Sequence, residues 1–437
     1  TTTISSPTLA DQIRNFQKLY PQAKWHVYEP VNRDNALEGA KAAFGQPVET
    51  RYDFTKADVI VSLDADFLYG GFPGNVKYIR DFASRRNPDG NMNRLYVIES
   101  TPSATGAKAD HRVPITSSRV EPFAVDLSGF IGAMSRGNVA GDVNTSVYKI
   151  GQDLMAHRGL SIVLAGDNQP PAVHALAHAM NAQLGNVGKT VFYTDSVDAN
   201  PINQTESLKE LVADMQGGKV DLLIILGGNP VYDAPADLNF ADVLKNGKTP
   251  IRVHHGLYQD ETAELCQWHV PATHELESWG DARAYDGTVS IIQPLIAPLY
   301  NGKSAIEFFG MLSGQSDATG YELVRSYWQK QHPGADFEQF WRKSLHDGWV
   351  EGTAFAQKTV KAQGVSTIAG SVPADTIELN IRRDPTIYDG QFSNNGWLQE
   401  LPKPMSKLTW DNAVQVGPKM AERLKLAAKD VVELELN

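Results

Sequence analysis

The sequence predicts an α/β fold: two related, doubly wound domains with mostly parallel sheets, followed by part of a C-terminal β-barrel. Three observations carry this. Short apolar runs alternate with helical stripes, the alternation occurs twice, and the last part of the chain switches to period two.

The runs Val59–Leu63, Leu95–Ile98, Ser161–Ala165, Leu222–Leu226 and Ile251–Val253 are rich in branched residues and apolar on both faces. That is the signature of buried parallel strands. Between them, Val173, Leu176, Ala177, Met180 and Leu184 form one helical stripe, with Pro170 and Pro171 suited to its first turn. Leu9–Leu19 and Glu206–Met215 read the same way, as do Ala305–Leu312, Tyr321–Gln331 and Phe337–Leu345.

The repeat is weak but ordered. The run from Asp58 to Asp64 matches the run from Asp221 to Gly227, and each half later reaches a similar segment, His111-Arg112-Val113-Pro114 or Trp268-His269-Val270-Pro271. Ser161–Ala165 is read as the opening strand of the second half. No counterpart precedes the helix after Pro7, so the chain is expected to be a piece cut from a longer protein. Domains are expected at about 1–150, 151–350 and 351–437. Linkers are expected at Gly129–Val147 and Gly348–Ala374. The alternation in Thr376–Ile381 and Val431–Leu436 predicts half-buried barrel strands, and Asn394-Asn395-Gly396 a type I′ turn beside a core Trp397.

Composition narrows function. The 437 residues carry 40 Lys+Arg against 51 Asp+Glu, a net charge of −11, which excludes the basic face of a general nucleic-acid binder. One cysteine, Cys266, excludes an intramolecular disulfide or a four-cysteine cluster within this chain. No apolar run approaches the ~18 residues that a membrane span needs.

Ligands of open α/β sheets sit at the carboxyl ends of the strands. Asp64, Asp66, Glu99, Asp167, Asn168, Gly227, Asn229, His254 and His255 stand there. Neither a G-x-G-x-x-G fingerprint nor a P-loop is present. Asp64 and Asp66 read either as a Mg²⁺ pair of a phosphoryl-transfer enzyme or as turn and cap formers. His174 and His178, four apart on a helix, read either as a zinc pair lacking its glutamate or as partly buried structural histidines. The second reading is preferred in both cases. Cys266 reads as a buried, inert thiol.

Taken together, the two α/β halves, the Gly227-Gly228-Asn229-Pro230 turn and the Asn394–Pro402 segment resemble the molybdopterin oxidoreductase superfamily. The stretches Trp25–Asn35, Asp58–Phe67, Arg94–Pro102, Ala165–Pro171 and Ala282–Thr288 resemble more narrowly the large iron–sulfur, molybdopterin-oxidoreductase-like subunit of bacterial alternative complex III. The resemblance implies a module of a quinol-oxidising respiratory complex, peripheral to the inner membrane on its periplasmic side. Its partners would be haem-bearing and integral membrane subunits. Within the superfamily motif, Asp64, Glu99, Asp167, Asn168, Gly227, Asn229, Asn394 and Trp397 would face the cleft that holds molybdopterin guanine dinucleotide.

Here the first half carries Asp64-Ala65-Asp66 where a Gly-x-Asn-Pro turn is usual, and Glu99-Ser100-Thr101 where Asp-Pro-Arg is usual. A carboxylate about 4 Å from a pyrophosphate costs roughly 4 kcal/mol at an effective dielectric of 20. The expectation is therefore a cofactor-free scaffold, not catalytic alone, with no metal of its own and with iron–sulfur clusters outside these residues. The rival is a catalytic fragment of a molybdopterin-dependent oxidoreductase.

Overall fold

The computed structural model describes residues 1–137, 145–363 and 377–435. The chain forms two compact units, Thr1–Arg383 and Asp384–Asn437.

The first unit holds both expected sheets. Strands β1 (Glu49–Tyr52), β2 (Val59–Leu63), β3 (Arg94–Glu99), β4 (His111–Pro114), β5 (Ser161–Ala165) and β6 (Val191–Thr194) lie in its first half. β7 (Leu222–Leu226), β8 (Ile251–Gly256), β9 (Trp268–Pro271), β10 (Gly280–Arg283) and β11 (Val289–Ile292) follow. The main sheet has the order β4-β3-β2-β5, all parallel; a second parallel sheet has the order β7-β8-β9. The pairs β1–β6 and β10–β11 are antiparallel.

The main sheet is apolar on both faces because both are covered. Val59, Val61, Leu63, Ile98 and Val163 face one core, which contains Leu127, Ile131 and Met180. Ile60, Leu95, Val97, Ile162 and Leu164 face the other, with Phe54, Phe67 and Tyr78. Helices α1 (Pro7–Leu19), α2 (Asp34–Phe44), α3 (Asn75–Ser84), α4 (Val120–Ser135), α5 (Thr145–Ala156) and α6 (Pro171–Gln183) surround these strands and the second half. The helices expected at 305–312, 321–331 and 337–345 are present as Ala305–Leu312, Gly320–Gln331 and Phe337–Asp347.

Several expectations are corrected. β5 does not open the second half: it pairs with β2, Val59 opposite Ser161, and fills the position expected to be missing. Helix α1 packs on the helices at 305–312 and 320–331, with Leu9, Ala10 and Ile13 in the core around Trp328 and Trp341. A buried carboxylate anchors it there. Asp281 accepts from Ser6 Oγ (2.5 Å), Thr8 Oγ1 (2.5 Å) and Trp328 Nε1 (3.0 Å). The described chain thus crosses between the halves three times: after α1, after β6, and again by residues 358–363, where Lys358 N donates to Tyr193 O and Gln363 N to Ala43 O. α4 also runs through the supposed linker as far as Ser135, because Phe130 and Ile131 give that stretch a buried stripe. The segments at 138–144 and 364–376 lie outside the described residues.

In the unit Asp384–Asn437, no ladder strand or closed barrel forms among the described residues; Asp384 and Tyr388 make one isolated bridge. Asn395 does not sit in a hairpin turn. Its side chain accepts from Leu398 N (3.1 Å) and caps a short helix, Gly396–Glu400. Trp397 is no core residue, being 87% exposed.

Candidate functional site

At the carboxyl edge of the main sheet, β2 ends on Asp64, which takes a left-handed conformation (φ 61°). Gly166, just after β5, lies against this turn; a Cβ there would stand 2.0 Å from the Asp64 carbonyl oxygen. The Asp64 side chain is 1% exposed. It receives Arg382 Nη2 at 2.5 Å and Gln169 Nε2 at 2.9 Å. Glu99, at the end of β3, receives Arg112 Nε and Ser103 Oγ, each at 2.5 Å. Asp167, after β5, receives Arg33 Nε at 3.1 Å and lies 3.5 Å from Arg383 Nη2. Burial would raise the Asp167 pKa, but Arg33 and Arg383 hold it below the ordinary carboxylate value.

The acids at these strand ends are therefore not bare charges. Each is neutralised by an arginine, that of Glu99 being Arg112, supplied by β4. Sequence reasoning missed Arg33, Arg112, Arg382 and Arg383. The signal available was that a carboxylate at a buried strand end requires a cation.

Asp64 and Asp66 have separate hydrogen-bond partners. Asp66 Oδ1 accepts from Thr105 N (2.8 Å) and Thr105 Oγ1 (2.7 Å). Among the described residues, no three His, Cys, Asp or Glu gather as a metal donor set.

The second sheet ends differently. β7 runs into Gly227 (φ 64°) and Gly228 (φ 73°), two successive left-handed residues that favour glycine. Asn229 Oδ1 accepts from Thr262 N (3.2 Å) and Oγ1 (2.7 Å), while its amide donates to Glu261 (2.6 Å). His254 and His255 have different partners. His254 Nδ1 lies 3.0 Å from His269 Nδ1, and His255 Nε2 lies 2.8 Å from the Lys303 carbonyl oxygen. Burial lowers the pKa of both His254 and His255.

The remaining candidates are quickly placed. Asn168 is exposed beside Asp167, and Asn394 lies in an exposed turn of the unit Asp384–Asn437. His174 and His178 are buried in α6, with pKa values lowered by burial to about 4 and about 3; His178 Nδ1 lies 3.2 Å from Tyr193 Oη. Cys266 packs at the rim of the core around Leu208 and Val243, and burial raises its thiol pKa.

A pyrophosphate needs donors at the strand ends. The main sheet does not fit this requirement: its turn presents a carboxylate, and its guanidinium groups are already engaged by Asp64, Glu99 and Asp167. The Gly227-Gly228 turn fits better, having no side chain at two successive positions.

Parallel sheets in an α/β frame define the class by fold, and comparison with known proteins gives two likenesses. No protein-family model matches the chain. The molybdopterin-binding-like subunit of menaquinone reductase from Nitratidesulfovibrio vulgaris is 28% identical over 152 residues, 33% of this chain and 20% of that subunit. Acetylene hydratase from Pelobacter acetylenicus shares the fold at a TM-score of 0.51 and 12% identity, over 72% of this chain and 55% of that one. The first match is a likeness in sequence over a third of the chain, and the second is a likeness of fold alone. The chain matches a fifth of the length of the first relative and about half of the second.

Proposed function

We propose that this chain is the molybdopterin-oxidoreductase-like module of a membrane-associated, quinol-oxidising electron-transfer complex, and that it serves as a cofactor-free scaffold. In this reading it belongs with the large subunit of alternative complex III. It holds iron–sulfur portions, haem-bearing subunits and integral membrane subunits together on the periplasmic side of the inner membrane. The similarity to a menaquinone reductase subunit supports the electron-transfer setting.

One observation carries the scaffold part. At the same backbone turn, with nearly the same φ, the second sheet has Gly227 and the main sheet has Asp64, closed by Arg382. One half of a two-domain grip is thereby given over to an internal ion pair. The bare Gly227-Gly228 turn favours the rival, a catalytic fragment that keeps cofactor on the second half.

Elemental analysis of the purified protein, with fluorescence of oxidised pterin, separates the two. The scaffold reading expects neither molybdenum, tungsten nor pterin. Stoichiometric molybdenum with pterin would establish the catalytic fragment instead.

A further inference from the structure

Two of the four arginines that close the main sheet, Arg382 and Arg383, come from one short extended segment. Glu378 accepts from Ser118 N (3.0 Å) and from Ser118 Oγ. Asn380 Nδ2 donates to Ser100 Oγ (2.8 Å). Arg382 holds Asp64, and Arg383 reaches Asp167.

Ser118, Ser100, Asp64 and Asp167 follow β4, β3, β2 and β5 respectively. The contacts along the segment thus run in the spatial order of the sheet, β4-β3-β2-β5. Two extended residues advance roughly 6.6 Å and adjacent strands lie about 4.8 Å apart, so on an oblique crossing Glu378, Asn380 and Arg382 each meet a new strand end, and the adjacent Arg383 reaches the last one.

Burial alternates accordingly. Glu378, Asn380 and Arg382 are partly buried, while Ile377, Leu379 and Ile381 are 53%, 46% and 76% exposed. The polar face of the segment is turned to the sheet and its apolar face outward. Among the described residues no backbone ladder joins the segment to a strand, and side-chain chemistry makes the contacts. Two carboxylates and two serines meet a carboxylate, an amide and two guanidinium groups.

We propose that the carboxyl edge of the main sheet is a recognition site for an extended, arginine-bearing peptide segment, and that its ligand is this chain's own Glu378–Arg383. The site has exchanged its ligand class: it is built for guanidinium rather than for a phosphate anion. This goes beyond the scaffold reading. Molybdenum in the preparation would overturn that reading without touching the measurement below.

The test is limited digestion of the full chain with thermolysin, which cuts before apolar residues such as Leu379 and Ile381, in the native protein, in an Arg382→Ala/Arg383→Ala double variant and in Asp64→Asn. Cleavage within residues 377–381 should be at least tenfold faster in both variants, while β2 and β5 stay uncleaved. Equal rates in native and double-variant protein overturn the proposal. The double variant offers a second arm should Asp64→Asn unfold the sheet. A tethered segment has an effective concentration of order mM. A labelled peptide of residues 377–383, titrated to roughly 1 mM, should therefore bind the double variant more tightly than the native protein, whose site is filled. No peptide binding to the double variant, or tighter binding of inorganic pyrophosphate than of peptide, also overturns it.

Discussion

The two parallel sheets share one backbone frame and carry opposite chemistry. Val59 pairs with Arg94 as Leu222 pairs with Ile251, and seventeen positions further along Tyr96 pairs with His111 as Val253 pairs with Trp268, counting from Arg94 to His111 and from Ile251 to Trp268. Beyond the strands the correspondence continues atom by atom. Asp64 N donates to Ile98 O (2.7 Å) and Gly227 N to His255 O (2.9 Å). Asp66 and Asn229 each accept from a threonine, Thr105 or Thr262, through backbone and hydroxyl alike. The same two hydroxyls accept from Leu68 N and Val231 N, both at 3.1 Å. Against this common frame, Asp64 stands for Gly227, Glu99 for Gly256 and Arg112 for His269. Register and turn geometry are thus fixed independently of what the strand ends bind.

The largest expected difference between the halves is in acid. His174 and His178, packed against the main sheet, are neutral when folded because burial lowers their pKa values to about 4 and about 3. Their contribution to stability is complete above the unfolded value near 6.5 and is lost as pH falls towards the folded values. At about 1.4 kcal/mol per pH unit, the loss reaches several kcal/mol by pH 4. Urea midpoints measured from pH 7 to pH 4 should fall more steeply in the native protein than in His178→Gln. Identical slopes would remove the histidines from the account.

Next is the ion pair that distinguishes the two turns. Asp64→Ala leaves the Arg382 guanidinium beside a buried turn without its partner and should cost about 3 kcal/mol in denaturant unfolding. A cost below about 1 kcal/mol would show that the pair is solvated like a surface one.

The frame itself predicts equality. Thr105→Val and Thr262→Val each remove a hydroxyl that both donates and accepts in its turn, at about 1–2 kcal/mol apiece. A large disparity between them would break the structural repeat.

Much of this frame was legible in sequence. Val59–Leu63, Ser161–Ala165 and Leu222–Leu226 are strands over the expected residues. A strand packed on both faces must be apolar throughout, and nothing else in a mostly polar chain looks like that. Neighbour relations were not legible, since β5 joins β2 across a crossover that leaves no periodic trace. The segment at 377–382 is more instructive: its period-two pattern is real, but its polar face is the inward one. Alternation reports an extended backbone with two faces, and the partner decides which face is buried. The partner here, a row of two serines and two acids at strand ends, was visible only as separate residues far apart in the chain.

The smallest effect concerns what a left-handed turn tolerates. Gly227 has φ 64°, where most side chains are strained and Asp and Asn are strained least. A Cβ at Gly227 would meet only Thr2, with Oγ1 at 3.6 Å, so there is room for one. Gly227→Asp should therefore cost about 1 kcal/mol or less, and Gly227→Val about 1–2 kcal/mol, since a β-branched side chain adds crowding to the same φ. The main sheet has already made this substitution in effect, because Asp64 occupies the equivalent position at φ 61°. Thermal unfolding of the two variants measures the difference. If Gly227→Asp proves as costly as Gly227→Val, then Asp64 is held at its angle by Arg382 and Gln169 rather than by its own tolerance. The frame would then not be independent of the ion pair it carries.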